Sequence, residues 1–120
     1  MLEENTTVHK GKTAEDLACR FLQAKNLQLV EKNFRSYFGE IDLIMLDNNT
    51  LVFVEVRYRN KSNFGLSRET IHLKKQTRII KTAQYYLTKK KIFEQKPCRF
   101  DVIAIEGTQA PNWIPNAFTL

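Results

Sequence analysis

The chain reads as an α/β sandwich, a central mixed β-sheet flanked by helices. Three observations predict it. Residues 13–25 and 68–90 carry apolar residues at helical spacing. Between and after them stand runs of β-branched and aliphatic residues typical of strands. The resulting order is helix, strand, hairpin, helix, strand, which favours helices packed on a sheet. The 120 residues suffice for one domain with a true core, placed at residues 11–120. Residues 1–10 are expected to be a frayed, disordered tail.

In the first helix, Ala14, Leu17, Ala18, Phe21 and Leu22 form the apolar stripe, with Thr13 as the expected N-cap. Glu15 lies about 100° round from Ala14, at the stripe's edge. As a first-turn acid it also suits the helix dipole. Residues 27–35 form the expected first strand, with Leu27, Leu29 and Phe34 turned to the core. Residues 60–67, NKSNFGLS, read as a polar, flexible loop. In the second helix Ile79, Ile80, Ala83, Tyr86 and Leu87 share one side, while Lys74, Arg78 and Lys81 share the other. Lys75 falls between the two. Residues 99–106 form the last strand, and Trp113, Ile114 and Phe118 dock the tail on the core.

The hairpin at residues 39–59, GEIDLIMLDNNTLVFVEVRYR, carries the chemistry. Asp42 and Glu55 interrupt otherwise apolar strands, at a cost unless they are paired, protonated or metal-bound. A turn centred between Asn48 and Asn49 sets Asp42 opposite Glu55 and Glu40 opposite Arg57. Ile41, Leu43, Met45, Val52, Val54 and Val56 would then share one apolar face. Directly opposed carboxylates repel. A raised pKa or a bound cation resolves the conflict, and carboxylate oxygens suit Mg²⁺ or Mn²⁺. The alternative is a solvated sheet end with Arg57 as salt-bridge partner.

Charge is segregated. Residues 1–56 hold 6 Lys/Arg against 9 Asp/Glu, residues 57–99 hold 13 against 2, and the remainder holds two acids and no base. Such a basic block suits a phosphate backbone. No apolar run reaches the roughly 18 residues of a membrane span, and the N-terminus lacks an apolar signal core. Both points favour a cytoplasmic protein with no membrane partner. Cys19 and Cys98 are expected to be reduced and buried or half-buried, with no zinc-ligand spacing to His9 or His72. Tyr58, Phe64, Tyr85 and Tyr86 could stack on bases, although core positions are commoner for such residues.

Together these residues resemble the YraN-like family of bacterial proteins. That family in turn resembles the restriction-endonuclease-like, PD-(D/E)xK nuclease superfamily, close in layout to archaeal Holliday-junction resolvases. The resemblance covers about residues 11–118. It rests on GKTAEDLA at 11–18, with Ala14 where the family pattern has a second glycine, and on Asn33-Phe34-Arg35. It rests also on GEIDLI at 39–44, FVEVR at 53–57, Lys75 and Ala83, and CRFDV at 98–102.

The resemblance implies a restriction-endonuclease-like sandwich and a Mg²⁺- or Mn²⁺-dependent endonuclease acting on structured or branched DNA. Asp42 and Glu55 would hold the metal, and Glu15 would approach as a third acid. The position two after Glu55, a lysine in such nucleases, is Arg57 here. Arginine stays protonated, so it can hold phosphate but cannot act as a base. Lys75 is the candidate to supply the ammonium. Arg59, Lys61, Arg68, Lys74, Arg78 and Lys81 are the candidates to meet nucleic acid. Arg57 equally suits a protein that kept the fold and binds nucleic acid, or assembles with partners, without cleaving. The resemblance also makes a homodimer a candidate state, with no dimer face legible.

Overall fold

A computed structural model describes residues 6–59, 73–91, 96–107 and 110–119. The elements are α1 (Thr6–Ala24), β1 (Gln28–Ser36), β2 (Gly39–Asp47), β3 (Thr50–Arg59), α2 (Leu73–Lys89), β4 (Cys98–Glu106) and β5 (Asn112–Phe118). The five strands form one sheet in the order β1-β2-β3-β4-β5. Three neighbouring pairs are antiparallel; β3 and β4 are parallel. Parallel neighbours need a crossover, and α2 lies within it.

The architecture is the expected α/β sandwich with a central mixed sheet. One sheet face packs Leu43, Met45, Val52, Val54, Ile103 and Ile105 against Ala14, Ala18, Cys19 and Leu22 of α1. The other packs Ile44, Leu51, Phe53 and Phe100 against Ile79, Ala83 and Tyr86 of α2. Strands with both faces covered are apolar on both, which is why β3 and β4 read as near-continuous hydrophobic runs. The cysteines are free, Cys19 buried and Cys98 half-buried, as expected.

Several expectations need correction. Helix α1 starts at Thr6, so Thr13 is not its N-cap, Glu15 is not in its first turn, and part of the expected tail is helical. Continuous i→i−4 bonding through Gly11 outweighs that residue's poor helix propensity, about 1 kcal/mol. Leu17 and Leu29 are exposed, at 37% and 38%, and contribute no core. Leu29 adjoins a register shift between Leu29 and Glu31, which turns its side chain outward. The tail is a fifth strand. Its Pro115 is tolerated because β5 is an edge strand with an unpaired side. The loop at residues 60–67 lies outside the described residues.

Near the turn the β2–β3 register is the expected one, while the expected Asp42–Glu55 and Glu40–Arg57 pairs fall beyond the last recorded pair. Asp47 pairs with Thr50, and pairing runs without a shift to Leu43 and Val54. The expected apolar face does not survive whole, because Ile41 leaves it. Leu43 belongs to the α1-side core and Ile41 to the α2-side core, so alternation slips between them. The neighbouring strand slips at the same level. Phe34 packs on the α2 side, whereas Lys32 bonds Asp16 of α1 at 3.0 Å. Asn33, between them, has φ 53°, in the left-handed region that asparagine tolerates better than most residues. The register sets Asn33 opposite Asp42.

Candidate metal and phosphate site

The slip decides where the acids go. Around Asn33 the chain turns Glu40 and Asp42 toward α1, which supplies Glu15. Among the described residues, Glu15, Glu40 and Asp42 bring carboxylate oxygens within 4.8 Å of one another. The Asn33 amide nitrogen, oriented toward the two acceptors, donates to Glu15 Oε1 at 3.1 Å and to Glu40 Oε2 at 3.0 Å. Arg35 Nε approaches Glu40 Oε1 at 3.5 Å. Asp42 Oδ2 accepts the Val56 N–H at 2.8 Å, just beyond the last Leu43–Val54 pair. A side chain there serves a backbone donor of β3.

Like charges at this density raise one another's pKa. Burial first, then Glu55, and then Glu15 and Glu40 push the Asp42 carboxyl up to about 8, against the lowering effect of the Val56 N–H. Burial and Glu40 also raise Glu15, while the Asn33 amide opposes them.

Glu55 borders this group but is held differently. It is buried, and its Oε2 lies 2.6 Å from Lys75 Nζ, in the first turn of α2. Arg57, two residues along β3, is half-buried. Burial and then Arg59 lower its pKa, while Glu55 raises it.

The structure thus gathers Glu15, Asp42, Glu55 and Lys75 at the open end of the β2–β3 hairpin. It brings in Glu40, which the sequence reading paired with Arg57 instead. The signal for Glu40 was the two-residue spacing in Glu40-Ile41-Asp42, which keeps two side chains on one side of a strand. Lys74, Arg78 and Lys81 are exposed on α2, and Arg59 ends β3 half-exposed. Lys61 and Arg68 lie outside the described residues. A Cβ added at Gly39 would sit 3.6 Å from Arg78 Cβ, so the α2 cations stand beside the turn that leads into Glu40.

An all-carboxylate donor set with mutually repelling members fits a hard divalent cation such as Mg²⁺ or Mn²⁺. Three oxygens within 4.8 Å can share one ion, and that ion would relieve the repulsion that raises Asp42.

This sandwich, with acids at one sheet end and a lysine from the crossover helix, has a layout consistent with nuclease-like folds. Residues 14–105 match the uncharacterised protein family UPF0102. A UPF0102 protein of Nitrosococcus oceani is 47% identical over 112 residues, covering 91% of this chain and 90% of its own. One from Psychromonas ingrahamii is 50% identical over 111 residues, covering 91% and 88%. One from Coxiella burnetii is 48% identical over 107 residues, covering 89% of each. The chain belongs to the UPF0102 family, the YraN-like group that its motifs resemble.

Proposed function

We propose that this protein binds nucleic acid and is a Mg²⁺- or Mn²⁺-dependent endonuclease acting on structured or branched DNA. One observation carries the reading: three carboxylates converge beside the ion pair of buried Glu55 with half-exposed Lys75, at the end of the sheet where cationic α2 begins. Glu15, Glu40 and Asp42 would hold the cation, with Glu55 at its border. A cation so held polarises a phosphate and lowers the pKa of a bound water.

The chain's own residues supply the rest. Asn33 fixes the directions of Glu15 and Glu40. The Val56 N–H fixes Asp42. Lys75, oriented by Glu55, carries an ammonium suited to developing phosphate charge, and Arg57 offers a permanent cation on the adjacent strand. Lys74, Arg78 and Lys81 hold the backbone through charge.

Arg57 also favours a second reading, in which the protein binds without cleaving. The two separate by incubating the protein with duplex, single-stranded and four-way-junction DNA under Mg²⁺ and Mn²⁺, beside Asp42→Ala and Glu55→Ala. Cleavage lost in both variants supports the first. Salt-sensitive binding with no cleavage under either metal supports the second. Absence of binding to every nucleic acid overturns both.

A further inference from the structure

The turn joining β1 to β2 displays two aromatic rings. Tyr37 is 96% exposed and Phe38 39% exposed. Their ring centroids lie 5.7 Å apart, edge to face. Exposing a tyrosine so fully forgoes the burial that makes aromatic side chains stabilising.

The turn is also fastened. Ser36 Oγ accepts the Phe38 N–H at 3.0 Å. The same hydroxyl faces Thr82 Oγ1 at 3.3 Å, with the Gly39 carbonyl at 3.4 Å. Thr82, fully buried, donates to the Arg78 carbonyl at 2.8 Å. The rings are therefore presented from a loop tied to α2 rather than from a loose tip. Lys81 Nζ stands 5.8 Å from the Phe38 ring centroid. Arg78 flanks Gly39.

We infer that Tyr37 and Phe38 form a stacking platform for unpaired bases of the nucleic acid whose backbone the site engages. Position and charge argue for that occupant. Tyr37 lies in the β1–β2 turn, three residues before Glu40 of the acidic group, and Arg78 and Lys81 of α2 stand beside that turn. Exposed rings interleaved with cations are how single strands are held without sequence preference. A regular duplex offers no free base face to a side chain, so the platform selects substrates with unstacked nucleotides, such as flaps, gaps and branch points.

The inference rests on the nucleic-acid reading, and the test separates the two. Binding of a dT₁₂ strand, a matched duplex and a duplex with a single-stranded flap is measured by fluorescence anisotropy at fixed salt. Wild type, Tyr37→Ala and Tyr37→Trp are compared, with oligomeric state followed by light scattering.

Tyr37→Ala is expected to weaken binding of dT₁₂ and of the flap by roughly 5- to 150-fold, the worth of one stacked base. Duplex affinity and thermal midpoint stay unchanged, since Tyr37 contributes almost no buried surface. Tyr37→Trp keeps single-strand affinity. Equal single-strand binding by wild type and Tyr37→Ala overturns the platform and leaves the proposed function standing. A wild type that binds none of the three nucleic acids overturns both. A dimer that Tyr37→Ala splits without loss of single-strand affinity assigns the turn to self-association and overturns the platform.

Discussion

Lys75 Nζ lies 2.6 Å from Glu55 Oε2, joining the crossover helix to the central strand that it follows in the chain. The lysine is half exposed and the glutamate is buried, so the two partners do not contribute alike. Water can solvate a freed ammonium but reaches the Glu55 carboxylate poorly. Lys75→Ala is expected to lower stability by about 1–3 kcal/mol, the cost of a buried acceptor left without its partner. A urea midpoint reads that loss. Lys75→Arg should restore most of it. If Lys75 also serves chemistry, cleavage falls further than folding does; unchanged cleavage in Lys75→Ala would remove the lysine from the mechanism.

Asp42 sets a pH dependence of definite sign. Its folded pKa is raised from 3.8 to about 8, so the folded state binds its proton more tightly than the unfolded chain does. The stabilisation is fully present below about 3.8. It is lost as pH rises from there through about 8. Each unit of displacement corresponds to about 1.4 kcal/mol. Asp42→Asn carries no titrating proton and can still accept the Val56 N–H. The variant should equal wild type near pH 4 and exceed it by a few kcal/mol at pH 9. Urea midpoints at pH 4, 6 and 9 give the comparison, and a constant difference across that range would refute it.

A divalent cation on the acidic group should stabilise the folded chain. At one hundred times its dissociation constant the gain is about 2.7 kcal/mol. Binding near pH 7 must also displace the Asp42 proton, so the heat of Mn²⁺ titration should vary with the ionisation enthalpy of the buffer. Glu40→Gln should lose the thermal shift as completely as Asp42→Asn. A full shift in Glu40→Gln would reduce the candidate ligand set to Glu15 and Asp42.

Gly39 has φ +154°, a backbone region that side-chain-bearing residues rarely adopt. A Cβ there meets Thr82 Oγ1 at 3.5 Å and Arg78 Cβ at 3.6 Å, ordinary contacts. Loss in Gly39→Ala would therefore come from the backbone alone, at about 1–3 kcal/mol. Calorimetry should show the lower midpoint, and relaxation of the turn would appear as altered Tyr37 fluorescence.

Asp101 anchors the far edge of the sheet. Wholly buried, it accepts from Arg99 Nε at 3.0 Å, Trp113 Nε1 at 2.9 Å and the Asn116 N–H at 2.9 Å. Arg99 also bonds Asp47 at 2.9 Å. Asp101→Ala leaves these donors short of an acceptor and is expected to cost about 3–5 kcal/mol. Shifted Trp113 emission would mark release of β5 from β4.

Much of this was legible because local rules and global fold agree. The apolar stripe of Ile79, Ala83 and Tyr86 is a helix face that buries as helical spacing predicts. Leu43 pairs with Val54 because a two-residue turn fixes register. What escaped depends on single backbone angles or distant partners. Nothing in the alternation of β2 signals that Asn33, on another strand, takes φ 53° and carries the slip between Ile41 and Leu43. A proline such as Pro115 disfavours a strand, and only the edge position of β5 makes one acceptable. Glu40 reads as a sheet-end charge until α1 is placed over it.

Glu15, Asn33, Glu40 and Asp42 all fall within the first 42 residues, whereas Lys75 comes from beyond the hairpin. The acidic half of the site thus belongs to the part of the chain that leaves the ribosome first. A nascent chain ending near residue 56 holds 6 basic against 9 acidic side chains and repels a polyanion. The running charge returns to zero at Lys61 and is positive from Lys74 onward, before β4 and β5 are made. Reversal of the electrostatic sign therefore precedes completion of the sheet.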